Sequence, residues 1–176
     1  MRKVKLSIAC SIDGYIATLD GDISFLDQVA IPDEDYGYHA FIETIDTVIM
    51  GRKTYEKIRS FDIPFPHVHE KVYVFSHQKT GHDDHVTFVN EDVQSFIDHL
   101  KHQPGKDIFL DGGANLIQSF MKVNLMDEMT LSIIPVTLGE GISLFLPHQT
   151  YQAFERLSSQ RFSSGLIQLV YQKKHQ

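Results

Sequence analysis

Cysteine is almost absent from these 176 residues. Cys10 stands alone, so no internal disulfide can form, and its place in an alternating apolar stretch reads as a small buried hydrophobe in a reducing, cytoplasmic setting. Basic residues are in deficit: 16 Lys and Arg face 23 Asp and Glu, for a net charge of −7. A nucleic-acid or anionic-membrane partner needs clustered positive surface, so neither is expected. No apolar run approaches the ~20 residues of a membrane span. Lys5 and Ser7 also interrupt the stretch after Arg2 and Lys3, which leaves no export-signal core and favours a mature strand. Internal repeats and low-complexity tracts are lacking. A chain of this length with 42% hydrophobic residues reads as one domain, 1–176.

What is present is organised around Val48-Ile49-Met50-Gly51-Arg52-Lys53-Thr54-Tyr55-Glu56. The apolar run reads as a strand buried on both faces, and it leads directly into a glycine, two cations and a threonine. Gly51 permits close backbone approach, and Thr54 reads as the N-cap of a following helix. The free N–H groups of a helix N-terminus attract phosphate. Asp107-Ile108-Phe109-Leu110 repeats the design, passing through Asp111-Gly112-Gly113-Ala114-Asn115 into a helix with Leu116, Ile117, Phe120 and Met121. Two anion-accepting corners in one small chain point to a dinucleotide.

Elsewhere, Val4, Leu6, Ile8 and Cys10 alternate with more polar neighbours as in a two-faced strand. The span from Thr18 to Pro32 reads as loop with a helical turn near Phe25-Leu26. Tyr38, Phe41, Ile42 and Ile45 share a helical stripe that Pro32-Asp33-Glu34-Asp35 would begin. Strands are expected at Lys71–Ser76 and Val86–Val89, and a helix over Val93, Phe96, Ile97 and Leu100 capped by Asn90 or Asp92. Met129–Val136 reads as a strand, and Phe154–Phe162 with Leu166–Lys173 as a closing hairpin. Alternating strands and helices imply an α/β fold: a mixed, mostly parallel central sheet flanked by helices, with a C-terminal antiparallel hairpin. Ligands of such sheets bind beyond the carboxyl ends of strands, where both glycine junctions and Ser76 fall.

Four segments together resemble the dihydrofolate reductase superfamily, most closely its branch akin to the C-terminal reductase domain of bacterial riboflavin biosynthesis. They are Ser11-Ile12-Asp13-Gly14-Tyr15-Ile16-Ala17, the Gly51-Arg52-Lys53-Thr54 junction, Asp111-Gly112-Gly113 and Leu138-Gly139-Glu140-Gly141. The resemblance implies a dihydrofolate reductase-like fold and an NADPH cofactor. By position, Gly51, Arg52, Lys53, Thr54, Ser76, His77, Gly112, Gly113, Asn115 and Leu116 become cofactor-binding candidates, with Ala9 and Ile16 bordering the nicotinamide. It further implies hydride transfer to a small, pteridine- or pyrimidine-like substrate by an enzyme similar to dihydrofolate reductase or 5-amino-6-(5-phosphoribosylamino)uracil reductase. A non-catalytic nucleotide-binding or interaction protein on the same scaffold is the rival.

The resemblance also implies one substrate-side carboxylate on the helix after the first long loop. Asp33, Glu34 and Asp35 are the candidates, and Asp35 is the catalytic choice, with a pKa expected to be raised by apolar neighbours. The other reading makes all three ordinary helix-start residues that favour the helix dipole. The chain has no tryptophan, which departs from many folate enzymes. His67, His69, His82 and His85 fall in loops, read as solvent-exposed, and no metal is expected. No Gly-x-Ser-x-Gly elbow supports a nucleophilic triad. Apolar residues of the last hairpin make a homodimer a candidate assembly.

Overall fold

The computed structural model describes residues 1–147 and 151–174. Eleven strands run β1 (Val4–Ser11), β2 (Tyr15–Ala17), β3 (Ile45–Gly51), β4 (Lys71–Phe75), β5 (Gly81–His82), β6 (Val86–Val89), β7 (Asp107–Gly112), β8 (Glu128–Ile134), β9 (Ile142–Ser143), β10 (Phe154–Arg161) and β11 (Ile167–Lys173). Four α-helices lie between them: α1 (Tyr38–Ile42), α2 (Arg52–Arg59), α3 (Val93–His102) and α4 (Ala114–Lys122). Ser24–Val29 forms a 3-10 helix within the first long loop.

Nine strands make one sheet in the order β10-β11-β8-β1-β7-β3-β4-β6-β5. The pairs from β8 through β6 are parallel, while β11 against β8, β10 against β11, and β5 against β6 are antiparallel. The fold is therefore mixed α/β with a mostly parallel centre and a closing antiparallel hairpin. β2 and β9 form a separate small ribbon.

Alternation along the central strands divides the core between the two faces. Leu6, Ile49, Ile108 and Leu110 pack under Ile97 of α3 and Ile117 and Phe120 of α4, all of them buried. Val48, Met50, Val74 and Phe109 point the other way, toward Phe41 and Ile42 of α1 and Tyr55 and Ile58 of α2. Each fully buried large side chain contributes about 1.5–3 kcal/mol. A third group, Val29, Ile134 and Leu166 with Ala9, Phe25, Leu26, Tyr36 and Phe162, seats the first loop against the hairpin turn.

Three local expectations need correction. α1 is only Tyr38–Ile42, with Gly37 as its N-cap at φ 81°, so Asp33–Asp35 precede the helix and Ile45 already belongs to β3. A periodic stripe cannot distinguish a helix that continues from one that turns into an adjacent strand. Thr54 is not the cap of α2: Gly51 is, and Thr54 lies within the first turn. β8 stops at Ile134, because Pro135 has no N–H to extend the ladder. α3 is capped by Asp92, whose carboxylate accepts from Ser95 N at 3.0 Å.

Candidate functional site

Sheet order brings the two glycine junctions together. β3 lies between β7 and β4, Met50 pairs with Gly112, and Gly51 pairs with Phe75, so Gly51, Ser76 and Gly112-Gly113 finish three adjacent parallel strands at one edge. Contact is close. A Cβ on Gly51 would stand 3.7 Å from Gly112 O, 3.8 Å from Gly113 N and 4.0 Å from Leu116 Cβ. A Cβ on Gly113 would meet Thr54 Oγ1 at 3.0 Å, tighter than ordinary packing. Gly112 has φ 111°, which L side chains rarely adopt, and the Gly112–Gly113 peptide is cis.

Both α2 and α4 begin at these glycines, and no side chain caps either one. Their first N–H groups are therefore left for solvent or a ligand, at the positive end of each helix. Two such helix starts in contact, with backbone approach kept open by glycine, fit the two phosphates of a dinucleotide.

The flanking candidates are placed less uniformly. Arg52 Nη1 already donates to Glu56, at 2.7 and 2.8 Å from its two carboxylate oxygens, while Lys53 is exposed. Ser76 is buried, and its Oγ accepts from Gln78 N at 3.2 Å and Lys79 N at 3.0 Å, shaping the turn that leaves His77 exposed. Leu116 is buried beside Gly51, whereas Asn115 faces solvent. Ala9 and Ile16 are half-buried and pack in different apolar groups. Leu6 pairs with Leu110, and continuing that register sets Ile8 level with Gly112 and Ala9 just beyond it.

The two remaining motifs tie to each other. Asp13 accepts from Gly139 N at 2.8 Å and Leu138 N at 3.1 Å, joining the β1–β2 loop to the loop after β8. Hydrogen bonds, the Ser11 hydroxyl first, hold its carboxyl below the usual carboxylate range. Gly141 admits no side chain, since a Cβ would lie 2.3 Å from Ala17 O.

Asp35 differs from expectation. It is exposed, not surrounded by apolar groups, and accepts from Gly37 N and His39 N, each at 2.9 Å, and contacts the His39 ring. The backbone bond from His39, then that from Gly37, then the His39 side chain lower its pKa to about 2. Hydrogen bonds to the ionised form dominate, so the expected rise is overturned. Because the folded value lies below that of an unfolded Asp, the stabilisation from this carboxylate is present above about pH 4 and is lost as pH falls toward 2. Carboxyl-labelled NMR should accordingly show Asp35 titrating near 2, and Asp35→Asn should remove no limb of an activity profile between about pH 5 and 9. A midpoint above 4 would contradict the placement.

A second group was missed altogether. His67, read as a solvent-exposed loop histidine, is only 3% exposed. Its ring meets Phe65 and Phe109 edge-on, Nε2 lies 3.8 Å from Asp111 Oδ2, and Nδ1 lies 3.9 Å from Glu70 Oε2. Tyr38, at the start of α1, belongs to the same group: burial, then the charges of Asp111 and Glu70, push its phenol up to about 12. The whole residue remains 41% exposed, so partial desolvation and the two carboxylates act together. The sequence held one signal for this group. Asp111 stands immediately before the Gly112-Gly113 corner, and its approach to His67, whose ring meets Phe109, puts it on the face of α1 at a point where a register shift against β3 interrupts the strand alternation. Among the described residues no cluster of three or more His, Cys, Asp or Glu could hold a metal ion. No helix among them is long and apolar enough to cross a membrane.

Known proteins are similar to this chain over nearly its whole length. The chain is 41% identical over 172 residues to the Bacillus subtilis protein YwjB and 36% identical over 182 residues to YyaP of the same organism. Both are described only as uncharacterized, and the alignments cover 97% of this chain with 97% and 94% of theirs. A crystal structure described as a putative riboflavin biosynthesis protein from Shewanella sp. PV-4 superposes with a TM-score of 0.91 at 32% identity, covering 98% of this chain and 99% of that one. The bifunctional diaminohydroxyphosphoribosylaminopyrimidine deaminase/5-amino-6-(5-phosphoribosylamino)uracil reductase of Thermotoga maritima superposes at TM-score 0.73 and 17% identity, covering 98% of this chain and 57% of its own, a likeness of fold alone. The RibD C-terminal domain model matches residues 2–168, and with glycine corners, sheet order and relatives in agreement, the chain belongs to the RibD C-terminal domain family.

Proposed function

We propose that residues 1–176 act as one NADPH-dependent reductase domain that delivers hydride to a C=N or C=O bond of a small heterocyclic substrate. The observation that carries this reading is the contact between Gly51 and Gly112-Gly113 at the uncapped starts of α2 and α4. Gly51, Thr54, Gly112, Gly113, Asn115 and Leu116 would hold the pyrophosphate region, Arg52, Lys53, Ser76 and His77 the adenosine 2′-phosphate, and Ala9 and Ile16 the nicotinamide edge. The bound cofactor supplies the hydride chemistry. The protein orients it, excludes water and fixes the substrate. Asp35, ionised and tied to the start of α1, is on this reading a fixed hydrogen-bond acceptor rather than an acid. That same ionisation is what favours the rival, a non-catalytic nucleotide binder. A homodimer closing over β10, an eight-residue strand paired only with β11 among the described residues, belongs to the same proposal, as does a cytoplasmic location.

NADPH should bind at least about tenfold more tightly than NADH, because one charge-assisted contact to the 2′-phosphate contributes about 1.5–3 kcal/mol. Fluorescence titration of both cofactors measures this, and equal dissociation constants would count against the assignment. Stopped-flow hydride transfer with dihydrofolate, 5-amino-6-(5-phosphoribosylamino)uracil and menadione then separates reductase from binder. Tight NADPH binding with no transfer to any of the three would favour the binder.

A further inference from the structure

Ala9 of β1 pairs with Ser132 of β8, and Ser132 pairs with Gln168 of β11, so the three side chains form one row on one face of the sheet. It is the face on which Ala9, Ile134 and Leu166 meet Tyr36 of the first long loop. Sheet order sets Gly112, Ala9, Ser132 and Gln168 on four successive strands, each about 5 Å from the next. A ring stacked on a nicotinamide at Ala9 therefore lies within reach of the two polar side chains, both of them half-buried. The Gln168 amide has one orientation. Its Nε2 donates to Tyr36 O at 3.0 Å and to Ser132 Oγ at 3.3 Å, and a backbone carbonyl can only accept, so both amide hydrogens are used and Oε1 remains as an acceptor. The Ser132 hydroxyl, having accepted, keeps its own hydrogen to donate. Among the described residues neither group has a further partner, and Oε1 is not sealed from solvent. Tyr36 is itself held, its hydroxyl donating to Ser164 Oγ at 2.9 Å and its ring edge-on to Phe162 at 4.8 Å, so the frame is set before any ligand arrives.

We infer that Gln168 and Ser132 are specificity-determining residues that read the lactam edge of the substrate ring, Gln168 Oε1 accepting its N–H and the Ser132 hydroxyl donating to the adjacent C=O. This rests on the reductase reading, with the nicotinamide at Ala9. It commits the substrate to a ring that carries an N–H beside a carbonyl, as a pyrimidinone or a pteridinone does. The acceptor and the donor stand side by side on neighbouring strands, and one cyclic amide satisfies both at once. A ring without that edge displaces water from the two groups and returns nothing to them, which is how a site built for hydrogen bonds rejects an analogue that lacks them. Tyr36 O, by fixing the amide nitrogen, decides that Gln168 presents oxygen rather than N–H to the ring.

The test uses the full chain with NADPH and four acceptors: dihydrofolate, 5-amino-6-(5-phosphoribosylamino)uracil, the 1,3-dimethyl derivative of that uracil, and menadione, which has no ring N–H. The wild-type protein should prefer the uracil to its dimethyl derivative in kcat/KM by about 100-fold or more. Gln168→Met, of similar length but without the acceptor, should raise KM for the lactam acceptors about tenfold or more, lose the discrimination against the dimethyl derivative, and keep wild-type NADPH affinity. Ser132→Ala should act in the same direction. Tyr36→Phe, which cuts the tie to Ser164 and keeps the amide, should scale all acceptors by a common factor. A common factor for Gln168→Met as well would make its role merely structural and overturn the assignment. Loss of NADPH affinity in Gln168→Met would overturn it too, by giving the pair to the cofactor's own carboxamide. Equal use of the uracil and its dimethyl derivative by the wild-type protein, or transfer to menadione alone, would overturn it while leaving the reductase reading intact. Failure to transfer hydride to any of the four would overturn both.

Discussion

Gly113→Val is expected to yield a folded protein that no longer binds NADPH. The β-carbon alone would stand 3.0 Å from Thr54 Oγ1, and the valine branches would occupy the space between the starts of α2 and α4. The crowding falls on the tip of one side chain, so the stability cost should stay near the 1–3 kcal/mol typical of overpacking. Binding suffers far more. If the first N–H groups of both helices hold phosphate oxygens, losing two charge-assisted bonds costs about 3 kcal/mol or more, which is over a hundredfold in Kd. Circular dichroism establishes the fold and fluorescence titration the affinity. Adding Thr54→Ala to Gly113→Val separates the causes: it relieves the clash with the threonine hydroxyl and should restore stability, but not NADPH binding. Wild-type affinity in a natively folded Gly113→Val protein would remove these helix starts from the cofactor site.

Phe109→Ala should produce the largest loss of stability among single core changes. Phe109 is 1% exposed at the middle of β7, and its ring edges meet Phe41 at 5.0 Å and His67 at 5.9 Å between centroids. It is the common floor for α1 and for the buried histidine. Removing a buried phenyl ring costs about 3–5 kcal/mol, because the strand cannot collapse into the space left behind. For a domain of this size each kcal/mol lowers Tm by about 2–4 °C. Denaturant titration measures the loss, and hydrogen exchange should show amides of Tyr38–Ile42 exchanging faster before global unfolding, since α1 is a five-residue helix with little stability of its own. A loss under about 1 kcal/mol would mean that neighbouring side chains refill the site.

The strands and glycine junctions were legible because the forces that form them are local. β1 is recognised by its two-residue alternation, the closing hairpin by Ser163-Ser164-Gly165, and β3 by an unbroken apolar run, since a central parallel strand is buried on both faces. Helix starts after Gly51 and Gly113 follow from the residue types there. α1 was overextended because Ile45 continues the helical stripe while already serving as the first residue of β3.

What the chain alone determined is therefore the main strands of the large sheet, the helices between them and two glycine corners at helix starts, set by periodicity and by glycine, while the short strands β2, β5 and β9 were not read from it. Only the tertiary structure decided that β4, β3 and β7 are neighbours, which turns Gly51, Ser76 and Gly112-Gly113 into one edge instead of three separate turns. It also reversed the properties of two titratable residues. Asp35 is held ionised by backbone N–H groups of Gly37 and His39 that a helix beginning at Pro32 would not have presented to it. His67 is buried because Phe65 and Phe109, 44 positions apart in the chain, close around it. Burial and protonation depend on which distant groups replace water around a side chain, and that choice is made by strand order rather than by neighbours in sequence.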